Sequence, residues 1–485
     1  MLIFRKIHRF YLNFALFLAI LLGFIWASVA NLAFFVSISW LILAIFLALF
    51  AFIFARNYTL ILIILAGFLL AFWRFSNFRI EQNSFEKIIG AQTEIQGRLI
   101  EDGDCDAESG NCSLKIAVLR AGKTNLRGKI WARVKNNAEF RRSDEIILQG
   151  KLSDGFGGFG AAVYRPEIRK IIRHPEMMRD FRNWFASGIS KYIASPQLEL
   201  GLGYLLGQKN SLPSALETAL RVTALTHIVV ASGYNLTILV NFARQIFGKI
   251  SKKISILTSV ALVISFVLIV GFSPSMTRAG IVALLGILFW SFGRKPNPYF
   301  LLIFVAAAML LINPENLFDL GWQLSFGSFF GVMILAPLLQ NFFFEKPKKL
   351  NSIAGIFFET FSAQIATLPL VVYTFGAFSP LSIVANMLVL PLIPLAMLLT
   401  FLTGVFAHLF APIAQIFGFL AEMVLRFSVE IIQFLGAQEG ARLEMKIESY
   451  QVWIFYAILA LAVGFLHFRN RISKGDSASK GFFIS

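Results

Sequence analysis

Residues 226–239 read THIVVASGYNLTIL. The run is apolar enough to form part of a membrane helix, yet it carries His227, Ser232, Gly233, Tyr234 and Asn235. In a continuous helix each residue turns about 100°, so Thr223, Thr226, His227, Ser232 and Asn235 fall all round the axis. No single orientation hides them from lipid. Either neighbouring helices enclose this one, or it breaks near Ser232–Gly233. Non-helical backbone at membrane depth is tolerated only within protein or around water. Gly233 is the hinge such a break needs, and Asn235 is placed to take up freed backbone groups. The segment is expected to line a wet cavity or a pathway.

The surrounding chain is that of a polytopic membrane protein. Of 485 residues 57% are hydrophobic, against about 45–50% in soluble domains, and the mean hydropathy is +0.72. Lysine and arginine number 44 against 27 acids, a formal charge of +17. The first 73 residues are read as three helices, near 11–30, 33–55 and 58–73. Arg5, Lys6 and Arg9 before the first place the N-terminus in the cytoplasm. Ser28 and Ala30 before Asn31 also match a signal-peptidase site, although no mature domain follows directly. Either way residue 74 emerges outside.

Residues 74–176 form the long polar stretch. Residues 93–102, 114–120, 128–135 and 145–153 are short, alternating and rich in Ile, Val and Leu, which reads as strands. Four or five such strands suit a small extracytoplasmic β-barrel, OB-like in class. Cys105 and Cys112 flank a turn-rich loop between the first two strands, and outside the cytoplasm a disulfide is the natural reading. A metal site lacks nearby nitrogen ligands, His174 being distant, and the spacing is not that of a redox pair. GFGGFG at 155–160 matches G-x-G-x-x-G, but Pro166 interrupts the helix that a dinucleotide site must open. It reads as a flexible linker. From Arg74 to Lys191 there are 21 Lys/Arg against 15 Asp/Glu. An excess of six outside the membrane fits a polyanion, nucleic acid first, or an ordinary soluble domain. Residues 177–197 carry Phe181, Trp184, Phe185, Ile189, Tyr192 and Ile193 at helical spacing, with Arg179, Arg182 and Lys191 between. This is an amphipathic helix for the membrane surface or one that packs on the small domain.

Residues 198–470 return to apolar character. Helices are expected near 219–243, 254–271, 275–293, 299–313, 323–341, 353–375, 381–408, 411–436 and 450–467. Basic clusters at 244–253, at Arg294 and Lys295, at 346–349 and in the tail 471–485 all fall on one side if the 219–243 helix starts outside. About twelve transmembrane helices with both termini cytoplasmic satisfy every loop, so much of the positive charge is topology. Further polar interruptions recur: GFSPSMTR (271–278) with Arg278, DLGWQLSFGS (319–328) with Asp319 and Gln323, SAQIATLP (362–369) with Gln364, and ANMLVLPLIP (385–394) with Asn386. An arginine at mid-membrane costs on the order of 2.5–3.5 kcal/mol on insertion scales, less near a boundary where it can snorkel. Singly, each polar residue is accounted for by a helix–helix hydrogen bond. Collectively they describe a transport route.

Taken together these segments resemble the ComEC family of DNA-uptake proteins. HIVVASGYN is similar to the family's HLLAISGLH stretch. GLGYLLGQKNSLPSALETALRVTALTH (201–227), GFSPSMTRAGI, DLGWQLSFGSFFGV and AQIATLPLVVYTFGAFSPLSIVANMLVLPLIP follow in the family's order. The resemblance implies an inner-membrane channel that carries one DNA strand into the cytoplasm, with the small barrel outside. It implies as partners single-stranded DNA, an outer DNA receptor and a cytoplasmic translocase ATPase, since the chain holds no nucleotide-binding motif. The family's usual C-terminal metallo-β-lactamase-like domain has no counterpart before Ser485, and only five histidines occur. Second-strand degradation is therefore expected from a separate nuclease. Asn235 stands where the family commonly has a second histidine, which suits a lining role better than a titrating one. The residues expected to line the passage are His227, Ser232, Gly233, Asn235, Arg278, Asp319, Gln323, Gln364 and Asn386, with no catalytic residue, metal or cofactor. The alternative is a membrane-embedded enzyme or small-solute transporter. A nucleophile–base pair of Ser232 and His227 needs a broken turn, because the two lie about 140° apart on a regular helix.

Overall fold

The computed structural model describes residues 9–30, 37–53, 59–105, 110–122, 124, 126, 128–135, 139–208, 212–229, 232–294, 297–344 and 352–480. The signal-peptidase match at Asn31, Lys295 and the basic cluster 346–349 lie outside them, as do the side chains of the tail. The chain forms two compact units, Met1–Arg182 with Val267–Gln323, and Asn183–Phe266 with Leu324–Ser485.

In the first unit, Arg9–Ala30 and Ile38–Ile53 pack on Thr59–Asn83, which runs ten residues past the end expected at 73. Its extension carries Phe75 and Phe78 into the protein, so burial continues the helix where its hydropathy falls. Arg74 on that helix donates from Nε to the Leu311 carbonyl at 2.9 Å and from Nη2 to that of Ile312 at 3.0 Å. It thereby caps the C-terminus of Pro298–Ile312, where the helix dipole favours a cation.

The polar stretch is a closed barrel. Its strands are β1 (Gln92–Leu99), β2 (Asp104–Cys105), β3 (Asn111–Ala121), β4 (Lys129–Lys135), β5 (Glu145–Asp154), β6 (Ala161–Tyr164) and β7 (Glu167–Ile172). The sheet runs β1-β3-β4-β6-β5 and closes because β5 also pairs with β1. β4 and β6 are parallel and the other pairings antiparallel. Alternation explains the interior: Leu114, Ile116, Ile130, Ala132, Ile146 and Leu148 are wholly buried, and the residues between them, such as Lys115, Trp131 and Ile147, face outward. Closure removes the free edges that an open sheet exposes. β6 and β7 were not expected from the sequence. The reading of 155–160 as a flexible linker is also corrected. The stretch is a turn in which Phe159 N–H donates to the Phe156 carbonyl at 3.0 Å and Gly160 N–H to that of Lys129 at 2.9 Å. Cys105 and Cys112 stand in register across β2 and β3 and are disulfide-bonded.

An ion-pair rim ties the barrel to the helix that begins at Met177. Asp144 has no exposed side-chain surface and accepts from Arg173 at 2.5 Å and from Arg179 at 3.5 Å. Arg182 meets Asp102 at 2.9 Å, and Arg142 pairs with Glu176. The arginines of Met177–Ile189 thus turn into the protein, while Met177, Phe181 and Trp184 are exposed.

In the second unit the helix placed near 219–243 is three pieces, Ser214–Val222, Thr226–Val229 and Gly233–Phe247, with one interruption at the Ser232–Gly233 break and another before it. The first ends where Thr223 Oγ1 bonds back to the Ala219 carbonyl at 2.8 Å and Ala224 takes a φ of 57°. The expected 381–408 helix is also interrupted, as Ser382–Val389, a single tight turn at Leu390–Leu392 and Ile393–Ala407. Ala411–Gly436 is continuous but carries Glu422, Arg426 and Glu430. Among the described residues eight helices are long and apolar enough to cross a membrane: Tyr11–Ala30, Thr59–Ile88, Lys252–Val270, Pro274–Ser291, Leu320–Phe343, Ala354–Phe375, Ser382–Ala407 and Ser449–Arg469. Ile38–Ala51 and Pro298–Ile312 are shorter apolar helices.

Candidate functional site

The break inside THIVVASGYN is built by its own polar residues. Ser232 is extended, with φ −117° and ψ 168°, and Gly233 opens the next helix. Asn235, wholly buried, donates from Nδ2 to the Tyr204 carbonyl at 2.8 Å. Ser232 Oγ donates to Asn235 Oδ1 at 3.1 Å. A freed carbonyl near the end of Gln197–Leu206 and the hydroxyl at the break are therefore both satisfied by one amide, as buried polar groups require. Close approach is possible because Gly203 has no side chain: a Cβ there would stand 2.4 Å from Val229. Tyr234, exposed, donates from its hydroxyl to the Leu390 carbonyl at 3.3 Å. Leu390 opens the interruption after Ser382–Val389, so Tyr234 links the two helix breaks.

His227 is exposed, and its Nδ1 lies 2.9 Å from the Ala224 carbonyl. That geometry makes Nδ1 the protonated nitrogen and leaves Nε2 as the acceptor. Ser232 gives its proton to Asn235 rather than to His227, so the nucleophile–base pair of the enzymatic alternative is not formed.

Gln364 and Asn386 meet at Ser382. Gln364 Nε2 donates to Ser382 Oγ at 2.8 Å, Asn386 Nδ2 to the Ser382 carbonyl at 2.7 Å, and Ser382 Oγ to the Ser379 carbonyl at 2.6 Å. The Gln364 bond joins Ser352–Phe375 to Ser382–Val389, the helix that runs into the turn Tyr234 touches. Tyr204, Tyr234 and Ser382 thus complete the constellation, although none was among the expected lining residues. Tyr234 had a signal in the break itself. Tyr204 contributes a backbone carbonyl, which no side-chain pattern announces.

The other expected residues, Arg278, Asp319 and Gln323, belong to the first unit. Asp319 Oδ1 accepts from Trp322 N–H at 2.8 Å and Gln323 Nε2 donates to the Leu317 carbonyl at 2.8 Å, an N-cap for the helix from Leu320. Ser273 Oγ accepts from Met276 N–H at 3.2 Å, with Pro274 in the first turn, which starts the helix that carries the half-buried Arg278. Gly271, at φ 107°, faces the Arg142 guanidinium, which a Cβ would meet at 2.4 Å. Arg142 in turn donates to the Leu268 carbonyl at 3.3 Å. The GFSP stretch is therefore where the barrel rim meets a helix end.

This ordered set of breaks and caps coincides with a known domain. The family model described as Competence protein matches residues 204–470, more than half of the chain. The chain belongs to the Competence protein family. It is 31% identical over 180 residues to ComE operon protein 3 of Bacillus subtilis (strain 168), covering 36% of this chain and 22% of that protein. It is 26% identical over 311 residues to Competence protein ComA of Neisseria gonorrhoeae, covering 59% of this chain and 39% of that protein. The chain thus spans less than half the length of either relative. No solved structure matches it with significance. Family and apolar helices together make it a multi-pass membrane protein.

Proposed function

We propose that this protein is an inner-membrane channel that passes single-stranded DNA into the cytoplasm during natural transformation. The family membership and the names of its relatives support a role in DNA uptake. The observation that carries the channel reading is the break at Ser232–Gly233, where Asn235, Tyr204 and Tyr234 hold two discontinuous helices side by side. Irregular backbone at membrane depth is tolerated only within protein or around water, and the exposed His227 and Tyr234 favour the second. Twelve spans with both termini cytoplasmic complete the topology, Ala411–Gly436, the segment that ends in Gly233–Phe247 and the two shorter apolar helices making up the number. The barrel is read as an OB-type module, since a closed five-stranded order fits that oligonucleotide-binding class. The exposed Met177, Phe181 and Trp184 suit an interfacial helix below it. An outer receptor delivers DNA and a cytoplasmic ATPase pulls it.

The test is uptake of end-labelled DNA in a deletion strain carrying wild type, Gly233→Leu or Arg278→Glu. Single-strand entry is expected with wild type and is lost with either variant. Entry that is unchanged by the deletion contradicts the channel.

A further inference from the structure

The geometry points to a docking platform for single-stranded DNA on the outer wall of the barrel, centred on Trp131 with Phe156, Tyr164 and Arg133. It deepens the DNA-uptake reading and rests on it. In β4, Lys129, Trp131, Arg133 and Lys135 face outward, alternating with buried Ile130, Ala132 and Val134. Register sets Trp131 beside Lys115 of β3 and Ala162 of β6, and Arg133 beside Tyr164. The Trp131 ring lies 5.4 Å from that of Phe156 and 5.6 Å from that of Tyr164, both in edge-on contact. Phe156 is 48% exposed and Tyr164 55%. None of the three rings belongs to the barrel core: Trp131 is half-buried against Phe156 and Tyr164, which are exposed.

The charges beside the rings have one sign in excess. Lys115 pairs with Glu101 at 3.0 Å and Lys129 with Glu315 at 2.7 Å. Among the described residues no acid pairs with Arg133 or Lys135. Ring faces interleaved with uncompensated cations match an unpaired polynucleotide, whose bases stack while its phosphates meet the cations. A duplex keeps its bases stacked on each other and offers this surface only its phosphates, so the platform prefers a single strand. The same wall reaches the loop that opens the DLGWQLSF helix, through the Lys129–Glu315 pair. A strand held on Trp131 therefore lies next to the family segment that contains Asp319.

The experiment uses the full chain in phosphatidylcholine nanodiscs. An oligodeoxythymidine carrying 5-iodouracil is photo-crosslinked and the adducts are mapped by mass spectrometry, and affinity is read with the fluorescein-labelled strand. Adducts at Trp131, Phe156 or Tyr164 are expected. Trp131→Ala and Tyr164→Ala each weaken binding by about tenfold, within the range for loss of one base stack. Trp131→Phe retains most of the affinity, and Arg133→Gln lowers the salt slope by about one phosphate contact. Wild-type binding that is untouched by both alanine variants, with adducts only elsewhere, overturns the platform while leaving the uptake reading in place. Alanine variants that bind DNA normally but reconstitute poorly mark a lipid-facing aromatic belt and also overturn it. A wild-type chain that neither binds the strand nor supports uptake overturns the underlying reading instead.

Discussion

In the barrel, charged side chains stand on the outer wall or pair at the rim, and the interior is Ile, Leu, Val and Ala. Between Tyr204 and Leu390 the arrangement reverses: Asn235, Ser382 and Asn386 are buried, and they bond to main-chain carbonyls near helix ends. The barrel's polar groups hold one module in place. Those of the membrane segments stabilise interruptions that an apolar bundle has no reason to contain. Variants at the barrel's rim ion pairs should lower function only as far as they lower stability. Variants in the membrane segments should lower uptake further than stability.

The largest expected effect is at the rim. Asp144→Ala leaves Arg179 buried without its carboxylate, and breaking such a pair costs about 3–5 kcal/mol. The heat-unfolding midpoint of the purified chain should drop, and growth at lower temperature should restore uptake. Uptake that stays lost in a fully folded Asp144→Ala chain breaks the comparison. Next is Asn235→Leu, which strands the Tyr204 carbonyl and the Ser232 hydroxyl at about 1–3 kcal/mol. Here uptake should vanish even where the chain is folded and membrane-inserted, as read by protease protection. Asp319→Ala removes an N-cap at about 0.5–2 kcal/mol, visible as a modest midpoint shift. The smallest change is Ser232→Ala. Among the described residues its hydroxyl bonds only to Asn235, so uptake should stay within a few-fold of wild type, whereas a nucleophile's loss would abolish turnover. A Lys115 effect sharpens the barrel side. Burial works to lower its pKa, but the carboxylates of Glu101, Asp319 and Asp104 outweigh it and hold the ammonium above the ordinary lysine value. Its contribution to stability is thus present below the unfolded pKa and fades as pH rises through the folded one, and Glu101→Gln should remove that alkaline dependence in pH-scanned unfolding.

The same contrast decides what the sequence reveals. β1, β3, β4 and β5 are legible because half-buried strands alternate. β6 is not, because Ala161, Ala162 and Val163 are all buried and no alternation survives. The break at Ser232–Gly233 is legible from polar residues that a lipid-facing helix cannot carry. The earlier interruption is not, since Ala224 enters the left-handed region with no residue type to signal it. Asp319, Gln364 and Asn386 were recognisable as misfits in apolar helices; Asp319 and Asn386 bond to local backbone, the Trp322 N–H and the Ser382 carbonyl, whereas Gln364 reaches the Ser382 hydroxyl on another helix, a match that tertiary contact alone sets. The Asp144–Arg179 pair joins residues 35 apart, a match that charge counting along the chain does not select.

The most direct measurement is aqueous accessibility at the break. Cys105 and Cys112 are disulfide-bonded, so His227→Cys and Tyr234→Cys introduce defined thiols for a charged methanethiosulfonate reagent. Both should be modified in sealed, protein-containing membranes, and an oligonucleotide engaged in the passage should slow the reaction. Thiols that react only after detergent extraction, or that react equally with and without DNA, would contradict a hydrated route along this segment.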